Sequence, residues 1–458
     1  MQNSSSLFLS NVRTFVMFLA VFFFLFLPVQ ALSKVSGQET VSLKGPVTMG
    51  QAVRFALRAN PDLAAQAAQA RASEEGRKSA RGEFGPKLGM TYSAMKQERK
   101  SEPTSTPRPE MGTYTLGLEI SQPVFQGFRL LANYQKAALQ AQSDKLALRK
   151  ARLEKIEAVQ TAFISYLRAE ANVQSQREAM ERLSDQLRIT QAYYATGLKP
   201  KLDVLQAEVD LREAESVLLQ IENNQAIQQS RLNTLLGLAA TSSIRYQGKL
   251  LYQPFPFSLE QCLEVAYRKR PDLIMAALAV DIAGKDRKAV QAGYYPKIEA
   301  YYNVTGSGNT PDLQMSGEHG SRYTSWEVGA KATWDVFQWG TTYYADQRAG
   351  ELVQKMRYEE RSLRLEVGHD LKSKFLTLRE AEKRILVARA NVASADEAYR
   401  AAMARYREQA GTGFDVLDTS SKLTTAKFSL TSAYADYLTA VAQLFVAMGE
   451  EHPDVMRL

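Results

Sequence analysis

Cysteine is almost missing: Cys262 is the only one in 458 residues, so no disulfide can close within the chain and none follows the N-terminal segment to be acylated. Histidine is scarce too. His319, His369 and His452 stand at neither metal-ligand nor catalytic-triad spacing from a cysteine or carboxylate, and no glycine-rich phosphate loop follows a strand pattern. An enzyme, a metal site and a cofactor site therefore find no support. Beyond residue 31 no run of 18 apolar residues occurs, which excludes a helical inner-membrane transporter. Charge of one sign is nowhere concentrated. The net +8 is interspersed with 49 acidic residues and reads as a solvated surface rather than a nucleic-acid footprint.

What is present begins with an export signal. Arg13 precedes an apolar run from Thr14 to Leu27, and Val29 and Ala31 occupy the −3 and −1 positions of a small-residue cleavage site. The run is about 14 residues against the ~20 that cross a bilayer, so residues 1–31 read as a signal peptide.

The mature chain then says the same thing twice. "ALRANPDL" (56–63) returns as "AYRKRPDL" (266–273), and "GPKL" returns as "YPKI", 210 positions on. Further along the spacing is 212: "PVFQG" with "DVFQW", "LDVLQA" with "FDVLDT", "LLG" with "AMG". The two extra residues fall between Pro296 and Asp335. A unit near 200 residues is too long for a solenoid repeat, so residues 32–238 and 258–449 read as two copies of one architecture, joined by 239–257 and followed by a tail, 450–458.

Each copy opens with an expected helix, about 49–84 and 259–293, ended by Pro86 and Pro296. Alternation of period two follows. Tyr114, Leu116, Leu118 and Ile120 oppose Thr115, Gly117, Glu119 and Ser121; Ala300, Tyr302 and Val304 oppose Glu299, Tyr301 and Asn303; Trp326, Val328 and Trp334 share a face against Glu327 and Lys331. The spacing predicts hairpins at about 87–124 and 297–336, with Pro/Gly/Ser-rich loops at 100–112 and 305–321. Proline is then absent from 125–196 and from 337–408. Leu371, Leu378, Ile385, Val392, Tyr399 and Tyr406 recur every seventh residue, and Val159, Tyr166, Val173, Met180, Leu187 and Tyr194 match them 212 earlier. That is a coiled-coil seam on a rod on the order of 100 Å long. Return helices are expected at about 203–236 and 415–448, with Gly237 and Gly449 as C-caps.

Strands of about 10 residues with one apolar face match an outer-membrane wall, but the smallest closed barrels use about eight strands and one chain offers four. Lipid tolerates no open edge, so several chains must pool their strands. A periplasmic coiled-coil adaptor or spacer would share the rods but has no need of the strands or of the tandem copy.

With these landmarks in order twice, the chain resembles the TolC-type outer-membrane efflux and secretion channels over essentially all of the mature sequence. The resemblance implies an α+β membrane protein: a homotrimer whose twelve strands close one barrel in the outer-membrane lipid, above a helical coiled-coil tunnel in the periplasm. It also implies a passive duct that docks a periplasmic adaptor and an inner-membrane RND or ABC pump. Tyr114, Leu116, Leu118, Tyr302, Trp326 and Trp334 would then face lipid as strand surface and aromatic belt. The turns "YATGLKPKLD" and "YREQAGTGFDVLD" would form the tunnel entrance, with Asp415 and Asp418, i and i+3 on one helix face, as inward carboxylate rings. On the residues alone a second reading stands: Asp415 caps a helix N-terminus and Asp418 is solvated. Tyr406, Gly197 and Asp203 are expected as latch and turn residues. Gly411 stands where the best-known relatives carry an arginine, which removes a bidentate donor.

Overall fold

The computed structural model describes residues 45–97, 111–308, 311, 313 and 323–456. The expected signal peptide and most of the two expected outer loops lie outside them. In chain order the elements are α1 (Met49–Ala59), α2 (Pro61–Gly82), β1 (Lys87–Gln97), β2 (Met111–Gln126), α3 (Arg129–Ala195) and α4 (Lys201–Leu235). The second copy gives α5 (Leu259–Lys269), α6 (Pro271–Gln291), β3 (Lys297–Gly308), β4 (Tyr323–Thr333), α7 (Thr341–Arg407) and α8 (Gly413–Ala447). Up to Lys87 and Lys297 the copies run 210 apart. From Met111 and Tyr323 onward they run 212 apart, so the two added residues sit in the second hairpin.

Each expected opening helix is in fact two. The rule that ended it at Pro86 applies already at Pro61 and Pro271, because the residue before a proline is driven to extended backbone. Asn60 (φ −72°, ψ 124°) and Arg270 (φ −68°, ψ 119°) are those residues, and the prolines open new helices at their first position. The break has a task. Asn60 accepts from the Asp62 N–H at 3.0 Å and donates through Nδ2 to the Leu235 carbonyl at 2.9 Å, the last residue of α4. In the second copy Arg270 holds Asp272 and Asp370 and reaches the Ala447 carbonyl at 3.4 Å, the last residue of α8. The repeated "PDL" is therefore where each copy's beginning fastens to its end. Gly237 and Gly449 (φ +75° and +74°) complete the joint, since a Cβ there would lie 3.0 Å from the Ala59 carbonyl oxygen and 2.9 Å from the Arg270 Cα.

The rods are α3 and α7. Each lies along its return helix, α4 or α8, and α3 also meets α2, α6 and α8, so the first copy's rod joins the two copies. Along α7 the expected seam is buried at Leu371, Leu378, Ile385 and Tyr406 and half-buried at Val392 and Tyr399. Along α3 it drifts. Val159, Tyr166 and Val173 are buried, Met180 and Leu187 half-buried, and Tyr194 is 47% exposed. Toward the tip Gln176, Leu183 and Thr190 take over the buried line, three positions off the first register, where Gln176 bonds the Ala214 carbonyl of α4 and Thr190 meets Tyr406 of α7.

The four strands form one antiparallel sheet in the order β1-β2-β3-β4, with β2 shared between the copies through β3. Register aligns like with like: Leu118 faces Val304, which faces Trp326, while Glu119 faces Asn303, which faces Glu327. One face is thus apolar and the other polar across all four strands. Two strand limits differ from expectation. β2 runs on to Gln126 through an irregularity at Pro123 and Phe125, where proline is tolerated because the ladder is interrupted anyway. β4 stops at Thr333, so Trp334 lies past the strand and donates its indole N–H to the Tyr294 carbonyl at 3.2 Å. The expected linker 239–257 is packed rather than loose. Tyr246 is buried and donates to Asn233 at 2.6 Å, and Val47 bridges to it from the first copy.

Candidate functional site

Two tight turns close the far ends of the helical hairpins, α3–α4 and α7–α8, 212 positions apart. Both are built alike. After α3, the Leu198 N–H returns to the Tyr193 carbonyl at 2.8 Å and the Gly197 N–H to Tyr194 at 2.9 Å; after α7, Ala410 returns to Arg405 at 2.8 Å and Gln409 to Tyr406 at 3.1 Å. This doubly bonded cap needs a left-handed residue. Gly197 supplies it at φ +75°, and in the second copy Gln409, 212 positions on, takes it at φ 59°. Gly411 comes two residues later, tucked under the end of α7, where a Cβ would meet Arg405 Cβ at 3.2 Å and the Tyr406 backbone nitrogen at 3.3 Å. A side chain there would have to displace that turn by a few tenths of an ångström.

Tyr406 is 2% exposed and packs with Met403 and Val416 under Ile189 and Tyr193. Its hydroxyl lies 2.7 Å from Thr190 Oγ1, and Thr190 already donates to the Gln186 carbonyl, so the tyrosine is the donor. Tyr193 of the first copy donates to the Arg407 carbonyl at 2.8 Å, and Gln186 Nε2 to the Gly413 carbonyl at 3.1 Å. Lys199 Nζ stands 5.8 Å from the centre of the Tyr406 ring, in cation–π range, and 3.4 Å from Asp203. The two turns of one chain are therefore fastened to each other. Asp203 is no cap: the residue before α4 is Pro200, and the carboxylate is held by Lys199 instead. Further along the rods Arg182 of α3 bonds Ser420 and Thr424 of α8, and Lys427 pairs Glu178 at 2.6 Å.

The N-cap of α8 is Thr412, and Asp415, three residues on, completes its box from within the first turn. The Thr412 N–H and hydroxyl donate to its carboxylate at 3.0 and 2.8 Å while the Asp415 N–H donates back to the Thr412 hydroxyl, a reciprocal capping box. Those bonds, the Thr412 backbone first, hold its pKa below the ordinary aspartate value, so it stays ionised down to lower pH than a free side chain. Asp418 sits one turn on, beside Lys422 at 2.7 Å. On the sheet, Tyr114, Leu116 and Leu118 are half-buried while Tyr302 and Trp326 are exposed, Trp326 to 67%. Among the described residues no element covers that face.

Lys199, Thr190 and Gln186 were not singled out in the sequence. Only Lys199 had a signal, because the 212 spacing sets it opposite Gly411.

The left-handed Gln409 generates a prediction. A non-glycine residue there costs on the order of 1 kcal/mol, so Gln409→Gly raises stability by up to about 1 kcal/mol, less the entropy glycine adds to the unfolded chain. A thermal melt in detergent checks it, and an unchanged or lowered midpoint counts against the turn geometry.

Comparison with known proteins agrees with this architecture. A family model described as outer membrane efflux protein matches residues 52–238 and 262–450, one block per copy. The outer membrane protein TolC of Vibrio cholerae is 25% identical over 418 residues, covering 87% of this chain and 90% of its own. The outer membrane efflux protein BepC of Brucella suis is 22% identical over 432 residues, 91% of each. Among solved structures, the outer membrane protein VceC of Vibrio cholerae superposes with a TM-score of 0.73 at 18% identity, over 88% of this chain and 96% of that one. The CmeC outer membrane channel of Campylobacter jejuni gives 0.76 at 15% identity, over 88% and 85%. With both copies matched and the same tandem α+β fold in those structures, the chain belongs to the outer membrane efflux protein family and is a protein of the outer membrane.

Proposed function

We propose that three copies of this chain form a passive, non-enzymatic channel-tunnel across the outer membrane. It would receive small molecules or polypeptides from an inner-membrane pump through a periplasmic adaptor. One observation carries the reading. Among the described residues, nothing covers the apolar face of the sheet and its two edges, β1 and β4, are unpaired. In lipid such edges must be closed, and three four-stranded sheets give twelve strands, a barrel wide enough for a water-filled lumen. The apolar face with Tyr302 and Trp326 then meets lipid, and the polar face lines the lumen. An adaptor or spacer protein would be a soluble alternative; dependence on detergent after membrane extraction separates the two.

The helical turns at the opposite end form the tunnel entrance in this reading. Asp415 and Asp418 lie on one face of the first turns of α8, and three copies would set six carboxylates around the mouth. Capping and lining coexist at Asp415, because the box uses one carboxylate oxygen and keeps the group ionised. Lys422 offsets part of the Asp418 charge. Asp415→Asn with Asp418→Asn therefore lowers cation preference and block by multivalent cations in planar bilayers. Unchanged ion selectivity in that double variant rejects the ring while leaving the fold untouched.

With glycine at 411 the closed entrance rests on contacts within one chain: the Tyr406–Thr190 hydroxyl pair and Lys199 over the Tyr406 ring. Together these supply about 1–2 kcal/mol. We expect a resting pore less tightly shut than in arginine-bearing relatives, opened further by Lys199→Ala combined with Tyr406→Phe. Single-channel records of a rarely open wild type that the double variant leaves unaltered contradict this latch.

A further inference from the structure

Where the polar face of the sheet meets the start of α3, the structure contains a recess of about 370 Å³. Four cations line it: Lys87 on β1, Arg129 at the head of α3, Lys297 on β3 and Lys331 on β4. Two carboxylates line it as well, Glu83 and Glu299. Lys87 is paired with Glu83 at 3.2 Å. Arg129 reaches only the neutral Gln126 side chain, at 3.1 Å. Glu299 stands across from Lys331 in register, yet among the described residues neither Lys331, Lys297 nor Arg129 closes to an ion pair with any carboxylate. Four cations against two carboxylates, held on rigid strands and a helix start around one concavity, leave it with an excess of positive charge. Repulsion between them is a cost to the folded chain unless an anion shares it.

We propose that this recess is a binding site for a small multivalent anion, one bearing phosphate or several carboxylates, on the lumen wall at the base of the barrel. The placement rests on the trimeric-channel reading above, since only there does the polar face become a lumen. Three copies then bring three such recesses around one pore, a basic belt of sign opposite to Asp415 and Asp418 at the far mouth. The belt is local: two register steps beyond Tyr301, Asn303 stands between Glu119 and Glu327 on the same face, and the sign reverses. Its signature is consequently block by a polyanion bound at one level, rather than a shift in overall selectivity. Lysine and arginine both suit the task, the lysines as point charges and Arg129 as a planar fork that can hold two oxygens of one group.

The test is block of single-channel current in planar bilayers by inorganic triphosphate added on the barrel side. The wild type is expected to show concentration-dependent block. In Arg129→Gln/Lys297→Gln/Lys331→Gln the half-blocking concentration rises about tenfold or more, while Asp415→Asn/Asp418→Asn keeps wild-type block. Wild-type pores that triphosphate does not block overturn the site and leave the channel standing; a protein that forms no pores in the bilayer overturns both. If the triple variant fails to assemble, Lys297→Gln and Lys331→Gln are read singly. A rise of about threefold in each supports the site, and no change in either refutes it.

Discussion

A β-strand edge cannot lie bare in hydrocarbon. Each unpaired N–H or C=O there costs several kcal/mol, and this sheet ends on two such edges, β1 and β4. Everything unusual about the chain follows from that constraint. Four strands are too few to close alone, and the apolar face with Tyr302 and Trp326 is exposed in the single chain, which is why we propose that partner copies extend the sheet. The helices would meet the same demand from the other side, since twelve strands on the proposed common ring need rods of equal length beneath them. α3 and α7 are accordingly 67 residues each and α4 and α8 35 each.

The duplication makes that wall nearly uniform, and the joint at the repeated "PDL" makes each copy a unit. A proline breaks the opening helix, the residue before it reaches the last carbonyl of the return helix, and a left-handed glycine lets the two backbones meet. The chemistry of the reach differs, an amide from Asn60 and a guanidinium from Arg270, while its target is the same in both. Geometry is what the two copies share. Chemistry separates them at the far turns, where Thr412 and Asp415 form a charge-bearing capping box at the start of α8 while α4 starts after Pro200 with no side-chain cap hydrogen bond.

Much of this was legible in the sequence because two periodicities and one internal alignment agree. Alternation at residues 114–121 and 297–304 gave the sheet faces. Absence of proline and the seven-residue seam gave the rods, and the change from 210 to 212 located the insertion in the second hairpin. What escaped was local or crossed the copies. The kinks at Asn60 and Arg270 were hidden by strong helical patterns on both sides. The left-handed residue after α7 is a glutamine, Gln409, which composition does not flag. Tyr194 fits the seam in sequence but lies off it, because Thr190, four residues earlier, takes the inward place against Tyr406. The fastening of Tyr406 by Thr190 and Lys199 joins residues more than 200 positions apart, and no periodicity reports such a meeting.

The reading stands on the sheet being one third of a closed wall. The mass of the membrane-extracted protein in detergent, by light scattering corrected for bound detergent, tests this most directly. Three chains per particle, with loss of solubility once detergent is withdrawn, is the predicted result. A stable monomer in plain buffer would show that the exposed strand face and edges are satisfied some other way, and the channel would go with them.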